Sequence, residues 1–259
     1  MNAETTAVPI SEIFSSIQGE GVFAGMYATF IRLQGCAVHC SFCDEKKSWS
    51  HSRPAAIMSV EGIINIARTH ANPLIVITGG EPLEYPELPE LSLAIKASLP
   101  HAKLQLETSG LPTAALGLLA HSGFDSICLS PKMLHTPASQ VSSANPYDND
   151  ATRRLLGLDS RAFVKLVVED FNELLFFLMR LFPSEFYSVF DDSKAVRVPL
   201  IYVNPVDPGR TETADYPEVA VTASFKKCLS LAQTTDRIPA HIRRQLRFGL
   251  QLHKIFSFK

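Results

Sequence analysis

The stretch Gln34-Gly-Cys-Ala-Val-His-Cys-Ser-Phe-Cys-Asp-Glu-Lys46 decides how the rest of the chain is interpreted. Its cysteines, Cys36, Cys40 and Cys43, have the spacing C-x3-C-x2-C and follow a strand-like run at Ala28–Leu33. Thiolates are the usual protein ligands of iron–sulfur clusters. Three thiolates leave one iron of a four-iron cubane without a protein ligand, and an open metal position is where chemistry takes place. The stretch therefore predicts a reactive cluster on a loop after a strand.

The same cysteines have a second interpretation as a zinc site. In that case His39 or His51 supplies the fourth ligand, because structural zinc sites take four nitrogen or sulfur ligands. The spacing favours the cluster, but a short motif remains a hypothesis until its structural context agrees with it.

The composition is that of one large globular domain. The chain has 259 residues, of which 46% are hydrophobic and 19% charged, so it can bury a full core. Its net charge is −2 and it contains no basic run, which argues against nucleic acid as a partner.

Two further features bear on where the protein is located. Met1–Pro9 lacks the charged and apolar regions of a signal peptide, and the apolar stretch Leu174–Phe182 contains Arg180 and is too short to span a bilayer. Cys128 and Cys228 stand alone, so the cysteines do not resemble a disulfide framework. We expect a cytoplasmic protein that does not associate with membranes.

Strand-like and helix-like segments alternate along the chain. The predicted strands are Ala28–Leu33, Leu74–Thr78, Leu104–Thr108, Ser126–Ser130, Phe163–Val168 and Val196–Val203. Helices are predicted at about 59–69, 88–99, 113–121, 172–182, 217–233 and 239–255. This alternation indicates a parallel sheet with helices outside, and six strands are fewer than the eight of a closed barrel. We predict an α/β fold, a partial, open TIM-like barrel. A core at about 10–207 and a helical extension at about 215–259 would form a single domain spanning 1–259.

Two segments lack a clear period. The alternation of apolar residues in 10–27 is ragged, and this segment alone favours a surface loop. Met133–Ser160 is rich in Ser, Asn, Asp and Pro, and we predict a long loop there.

Unusual segments follow the predicted strands and should meet at one edge of the sheet, where parallel α/β folds bind ligands. They are Gly79–Pro82, Glu107–Gly110, Ser130–Lys132 and Asn204-Pro205. Each also has an ordinary interpretation, as a tight turn or a solvated lysine. Arg32 lies within the first predicted strand, where it either faces solvent or is buried with a partner carboxylate.

In combination, these motifs resemble the radical S-adenosylmethionine (SAM) enzymes and, among them, the 7-carboxy-7-deazaguanine synthases. The resemblance is carried by Glu12–Gly21, Phe30–Cys36, Cys43-Asp44, Thr78–Pro82, Glu107–Gly110, Ser130–Lys132 and Gln251–Lys254. It implies a lyase that contracts 6-carboxy-5,6,7,8-tetrahydropterin to 7-carboxy-7-deazaguanine with loss of ammonia, in queuosine biosynthesis.

The resemblance also implies a role for individual residues. Cys36, Cys40 and Cys43 would hold a [4Fe–4S] cluster. SAM would contact Phe42, Cys43, Asp44, Gly80, Glu81, Ser130, Pro131, Lys132, Asn204, Pro205, Val206 and Asp207. The pterin would contact Ile17, Gln18, Gly19, Arg32, Thr78 and Lys259 at the chain terminus. Arg32 suits this role because a guanidinium binds a carboxylate through two parallel hydrogen bonds.

The chain departs from the family at Glu45, where a threonine that helps to bind Mg2+ is usual. A carboxylate is a good Mg2+ ligand, so we hypothesise that Glu45 retains the ion. Glu45 could instead pair with Lys46 or Lys47 and take over the role of the ion. A milder departure is Asn204, where glutamine is common.

Two alternatives stay open. One is another radical SAM enzyme, such as a glycyl-radical activase, and the other is a zinc-stabilised binding module. For the synthase we expect a homodimer that receives electrons from a donor such as flavodoxin or ferredoxin.

Overall fold

The computed structural model describes residues 7–40, 43–52, 54–132, 147, 150–182, 198–205 and 223–249. Its strands are β1 (Ala7–Ile17), β2 (Tyr27–Leu33), β3 (Ala56–Ser59), β4 (Leu74–Gly79), β5 (Lys103–Thr108), β6 (Ser126–Leu129), β7 (Ala162–Val168), β8 (Ile201–Pro205) and β9 (Leu246–Phe248). Its α-helices are α1 (Val60–His70), α2 (Leu88–Ser98), α3 (Asp150–Leu158), α4 (Phe171–Leu181), α5 (Ala223–Thr234) and α6 (Ala240–Arg243). Short 3-10 helices occupy Gly21–Phe23, Lys46–Ser48, Pro82–Glu84 and Thr113–His121.

The described strands form one sheet in the order β3-β1-β2-β4-β5-β6-β7-β8-β9. From β2 to β9 neighbouring strands are parallel, whereas β1 is antiparallel to both β2 and β3. Within the described ranges, β3 and β9 are the two edges, so the sheet is open. The predicted open barrel of parallel strands with outer helices is confirmed, with one further parallel strand, β9, beyond the six.

Local signals begin two of the outer helices. The Ser59 hydroxyl accepts a hydrogen bond from the Gly62 amide and caps α1, and the Asp170 carboxylate accepts from the amides of Asn172 and Glu173 to cap α4. The buried face of α1 includes Ile63 and Ile64, that of α4 is rich in leucine and phenylalanine, and both faces belong to the main core. No α-helix among the described residues has the length and apolar character that crossing a bilayer requires.

The prediction of a surface loop at residues 10–27 is wrong for its first part. Strand β1 runs to Ile17 and pairs with β2 from Ile10 opposite Leu33 to Ile17 opposite Tyr27. The register shifts between Ile10 and Glu12, as at a β-bulge. Such a shift breaks the alternation of apolar residues, which explains why the period looked ragged in the sequence.

Two other predictions need correction. A helix at about 239–255 is wrong within the described residues, because α6 ends at Arg243 and Leu246–Phe248 forms β9 beside β8. The edge of β8 supplies backbone hydrogen-bond partners that override the helical spacing. The long loop at Met133–Ser160 contains α3, whose Leu155 and Leu156 are buried. The remainder of that loop, except Tyr147 and residues 159–160, lies outside the described residues.

One strand and one helix predicted in the C-terminal half of the chain agree in part with the structure. The predicted strand at Val196–Val203 begins only at Ile201, and its first two residues lie outside the described part. The predicted helix at about 217–233 is described from Ala223 as α5.

Residues alternate between two faces along the parallel strands. One face packs against the helices and forms the main core, with Ile75 and Ile77 of β4 and Leu104 and Leu106 of β5 among its members. The opposite face is the concave interior of the open barrel. Its lower end is a small apolar cluster built on Ala28, Leu74 and Val76. Toward the C-terminal ends of the strands this interior face becomes polar, and it carries the candidate site.

Candidate active site

The cysteine loop follows β2 and folds back against the chain after it. Cys36 and Cys40 are buried and pack in an apolar cluster with Val38, while Cys43, Trp49 and Leu111 lie against that cluster. All three thiols are free. The Cys36 amide donates to the carbonyl oxygen of Trp49, and the Cys43 amide donates to that of Cys40. The loop thus gathers the predicted ligands in one sheltered place.

The surroundings of these thiols suit a positively charged metal centre. Burial raises the pKa of Cys36 to about 11 and also raises the pKa of Cys40. A bound cationic centre reverses that effect, because it stabilises the thiolate directly. The Cys43 sulfur accepts hydrogen bonds from the Glu45 amide at 3.4 Å and from the Trp49 indole at 3.3 Å. Three reduced thiols with donors already aimed at one sulfur fit a [4Fe–4S] cluster.

The histidines proposed for the zinc alternative have other partners. His51 lies 2.6 Å from the Glu84 carboxylate, and His39 stacks on Trp49 with 4.8 Å between ring centroids. In the described part of the chain, no three His, Cys, Asp or Glu side chains are grouped as ligands of a single metal ion. Because that absence covers the three cysteines as well, only the other partners of His39 and His51 argue against the zinc site.

The loop after β4 packs against the cysteine loop through backbone. The Gly80 amide donates to the Leu33 carbonyl oxygen, and the Glu81 amide donates to that of Gly35. A Cβ atom on Gly80 would lie 1.8 Å from the Gly35 carbonyl oxygen, and Gly79 has a φ of +127°. The glycine pair is required because two backbone segments meet here. This contact places Gly80 beside the cluster ligands.

Glu81 points into the protein. Its carboxylate accepts hydrogen bonds from the Leu83 amide, the Thr108 hydroxyl, and both the amide and the hydroxyl of Ser109. Burial raises the pKa of the Glu81 carboxyl, and these hydrogen bonds oppose that rise. Glu81 thus ties the loops after β4 and β5 together, and its predicted contact with SAM stays a prediction.

The segment after β6 extends toward the cysteine loop. Ser130 and Pro131 are buried, and Lys132 donates from Nζ to the Ser130 hydroxyl at 3.0 Å. The backbone amide of Lys132 donates to the Tyr147 hydroxyl, which donates to the Ser109 carbonyl oxygen. Burial raises the pKa of Cys40, and the positive charge of Lys132 opposes part of that rise.

Four charged residues form a group beside Cys43. The Arg32 guanidinium contacts Glu12 at 3.0 Å and Glu45 at 3.3 Å, and Lys47 contacts Glu12 at 3.3 Å and Glu45 at 3.4 Å. Arg32 is mostly buried, and its guanidinium lies over the ring of Phe14. The expectation of carboxylate partners for a buried Arg32 is confirmed, and both partners come from the protein itself.

Glu45 thus pairs with Lys47 and not with Lys46. Lys46 instead lies over the Trp49 ring, with 5.8 Å between its Nζ and the ring centroid. Of the two lysines that the sequence left open as partners, the structure selects the second.

Glu107 links residues that the sequence assigned to substrate. Its carboxylate accepts from the Gln18 amide nitrogen at 2.9 Å, the Thr78 hydroxyl at 3.3 Å and the Gln105 amide nitrogen at 3.2 Å. The sequence analysis gave Glu107 no role of its own. Its place at a strand end, two residues from Gln105 on the same face, is the signal that could have identified it.

A second carboxylate, Glu20, has two partners across the barrel. Lys165 donates to it at 2.7 Å and the Asn204 side chain at 2.7 Å. Burial alone would lower the pKa of Lys165, but Glu20, Glu107 and Cys128 together raise it well above its usual value. Lys165 was missed because its strand reads as an apolar run, and the single charge inside that run was the signal.

The other predicted residues fall into two groups. Ile17 ends β1, Gly19 and Pro205 are buried, and Asp44 is exposed on the cysteine loop. Phe42, Val206, Asp207 and Lys259 lie outside the described residues.

Comparison with known proteins shows which family the first part of the chain resembles. The family model of the radical SAM superfamily matches residues 30–155, which include the three cysteines and the loops after β4, β5 and β6. These residues are therefore similar to the radical SAM superfamily. Members of this superfamily use a [4Fe–4S] cluster and SAM, and they act on a small-molecule substrate with electrons from a reductant.

Curated radical SAM relatives share a name. The chain is 41% identical over 140 residues to 7-carboxy-7-deazaguanine synthase of Synechocystis sp., covering 53% of this chain and 61% of that protein. It is 41% identical over 110 residues to the synthase of Hyperthermus butylicus, covering 42% and 46%. It is 36% identical over 121 residues to the synthase of Escherichia coli, covering 39% and 53%. The matches thus span 46% to 61% of the length of these relatives.

A solved structure extends the likeness in fold to nearly the whole chain. The crystal structure of QueE from Escherichia coli superposes with a TM-score of 0.60 and covers 95% of both chains, at 23% identity. At this identity the likeness is one of fold, an open α/β barrel.

Proposed function

We propose that this chain is a radical SAM lyase that converts 6-carboxy-5,6,7,8-tetrahydropterin to 7-carboxy-7-deazaguanine with loss of ammonia. One observation carries the proposal. The contact between Arg32 and Glu45, at 3.3 Å, brings a carboxylate-binding guanidinium next to the loop of the cluster ligands. The names of the relatives and the motifs from Glu12 to Lys132 support the same reaction.

Cys36, Cys40 and Cys43 would hold the cluster, and Gly80 and Ser130–Lys132 would line the place for SAM beside it. When bound, the cluster and SAM would supply the radical chemistry that removes a hydrogen atom from the substrate. The role of the protein would be to orient the reacting carbon of the substrate toward the cluster and SAM and to exclude water. The burial of Cys36 and Cys40 serves the second task.

Arg32 would bind the carboxylate of the pterin. Its guanidinium already contacts two protein carboxylates, so the substrate must either share it or displace one of them. Glu45 is the more distant of the two, at 3.3 Å against 3.0 Å for Glu12, and is therefore the partner that exchanges. Such an exchange would make binding selective for a carboxylated ring.

Ile17, Gln18, Gly19 and Thr78 would contact the ring itself, and Lys259 at the terminus would complete the pocket. Glu107 accepts hydrogen bonds from both Gln18 and Thr78, so it would set the direction in which these two side chains face the ring. Side chains held by such bonds lose little freedom when a ligand binds, which favours binding.

Glu45 would also retain Mg2+. Glu12 and Glu45 both contact Lys47, so two hard oxygen donors lie on one small surface that a cation already occupies. Mg2+ would replace the Lys47 ammonium there. We further propose a cytoplasmic homodimer that neither binds nucleic acid nor associates with membranes, with flavodoxin or ferredoxin as the electron donor.

A single anaerobic assay tests the proposal. Iron and sulfide are reconstituted into the protein, which is then reduced and given SAM and 6-carboxytetrahydropterin. Formation of 7-carboxy-7-deazaguanine, detected by mass, supports the proposal. Formation of 5′-deoxyadenosine without this product would leave the radical SAM chemistry but overturn the substrate, and would favour an activase. A colourless, iron-free protein after anaerobic purification would favour the zinc module.

A further inference from the structure

The turn after β1 crosses the open barrel. The Gln18 amide donates to the Met26 carbonyl oxygen and the Gly25 amide donates to that of Gln18, each at 2.8 Å, so residues 18–26 form a closed loop. Gly21 has a φ of +71°, and a Cβ there would lie 2.8 Å from the ring of Phe163 on β7. The loop therefore rests on the inner face of the far strands.

Two side chains of this loop are held from different sides. Gln18 donates to Glu107 on β5, while Glu20 accepts from Lys165 on β7 and Asn204 on β8. The Glu20 amide also donates to the Gln18 side-chain oxygen at 3.2 Å, which joins the two attachments. One hydrogen-bonded chain thus runs from β5 through the loop to β8.

Lys165 is the positively charged residue in this chain of hydrogen bonds, and it holds Glu20 from β7. Its side chain and that of Glu20 are 13% and 8% exposed, so neither charge is well hydrated. Removing one partner of a buried ion pair leaves the other uncompensated, which forces the remaining group to move toward water. Lys165 contacts the Glu20 carboxylate directly at 2.7 Å, whereas the three side chains that donate to Glu107 are uncharged and the charge of Lys165 acts on Glu107 without a direct contact.

We propose that Lys165 is a positioning residue that acts through Glu20 to hold residues 17–20 in the orientation that meets the substrate. Lys165 does not exchange protons in this role, because its ammonium persists throughout the neutral pH range. The identity of the substrate rests on the proposed function, but the mechanical link between Lys165 and the loop does not.

Hydrogen exchange tests the link directly. Lys165→Met keeps the length of the side chain and removes its charge. We expect the Gln18 and Gly25 amides to exchange at least about tenfold faster in this variant, while the Val164 amide is unchanged. Lys165→Arg should restore much of the protection, and exposed Lys226→Met is the matched control. Equal exchange in Lys165→Met and the unaltered protein, or a uniform acceleration everywhere, would overturn the proposal.

Kinetics on the reconstituted enzyme tests the consequence for the substrate. Lys165→Met should raise the KM for carboxytetrahydropterin by roughly ten- to a hundredfold and leave the KM for SAM unchanged. The double variant Lys165→Met/Glu20→Gln removes both buried charges. It should regain stability but keep the raised KM, because the attachment is still missing. An unchanged KM in Lys165→Met overturns the proposal. If the unaltered enzyme makes no deazaguanine, the proposed function fails, and the exchange experiment alone decides the role of Lys165.

Discussion

The Oε2 atom of Glu45 lies 3.3 Å from Nη1 of Arg32, which joins the residue two positions after a cluster ligand to the guanidinium at the end of β2. Glu45 also shares Lys47 with Glu12. Where the family has a neutral threonine, this chain therefore has a carboxylate inside a group of two acidic and two basic side chains. Under the proposed function, the balance within this group would decide how the enzyme binds a divalent cation and a carboxylated substrate.

Mg2+ dependence should follow from this group. If Glu45 retains Mg2+, removal of the ion with a chelator lowers turnover and added Mg2+ restores it. Glu45→Gln should lose this response, because an amide is a weaker ligand than a carboxylate for a hard cation. Turnover that is independent of Mg2+ in the unaltered enzyme contradicts the hypothesis, and Mn2+ binding measured by EPR provides a readout without turnover.

Removal of Lys47 should strengthen the binding of a divalent cation. Lys47→Met deletes the cation that Mg2+ must displace, and we expect an affinity gain of up to about fivefold, since exposed ion pairs contribute at most about 1 kcal/mol. Lys46→Met is the control, because Lys46 faces Trp49 and not Glu45. A gain of the same size in both variants would mean that only the general charge of the loop matters.

The three loop cysteines and the two isolated ones should differ in iron binding. Serine at Cys36, Cys40 or Cys43 should abolish most of the iron content and the visible absorbance after reconstitution, because a hydroxyl is a poor cluster ligand. Cys128→Ser and Cys228→Ala are the controls, since both thiols are buried and belong to β6 and α5 and not to the cysteine loop. Full iron content in any single loop variant would exclude that cysteine as a ligand.

Gly80→Ala should damage the site through the backbone. The new methyl group would collide with the Gly35 carbonyl oxygen, and forced repacking of this kind costs about 1–3 kcal/mol or more. We expect a lower melting temperature and reduced iron incorporation. Gly117→Ala is the control because nothing lies within 4 Å of its added Cβ atom. Normal iron incorporation in Gly80→Ala would show that the two loops move independently.

Glu107→Gln should weaken substrate binding without affecting SAM. The amide cannot accept hydrogen bonds from Gln18, Thr78 and Gln105 at both of its ends, and an unsatisfied buried donor costs about 1–3 kcal/mol. We therefore expect the KM for the pterin to rise by roughly tenfold or more. Glu61→Gln, on the exposed face of α1, is the control. A rise in the KM for SAM instead would assign Glu107 to the cofactor.

Local sequence patterns were sufficient to predict those strands and helices whose local preference agrees with the final fold. The apolar run of β4 and the spacing of α1 predicted both elements to within a residue or two, because a buried parallel strand and an amphipathic helix each have a period of their own. Local periodicity did not predict β1, because a bulge interrupts its alternation. It did not predict β9 either, because the free edge of β8, and not local propensity, determines the conformation of that segment.

The residues of the candidate site also divide into those that local sequence patterns predict and those whose role depends on tertiary contacts. Cys36, Cys40 and Cys43 could be predicted as cluster ligands because metal ligation requires particular residue types at short spacing. The partners of Glu107 and Lys165 could not be predicted, because Gln18 and Glu20 lie 89 and 145 positions away in the chain. Pairing over such distances has no signature in a single sequence.

By itself, the sequence determined the alternating architecture, and it predicted the cluster ligands and the ligand-binding edge of the sheet, since each follows from short-range spacing or from strand direction. Only the tertiary structure decided which charges meet. It placed Glu45 against Arg32 and Lys47, turned Glu81 inward, and bound Glu20 to Lys165. Each of these choices depends on how strands and loops approach one another in three dimensions, and electrostatic energy depends on that distance and on burial.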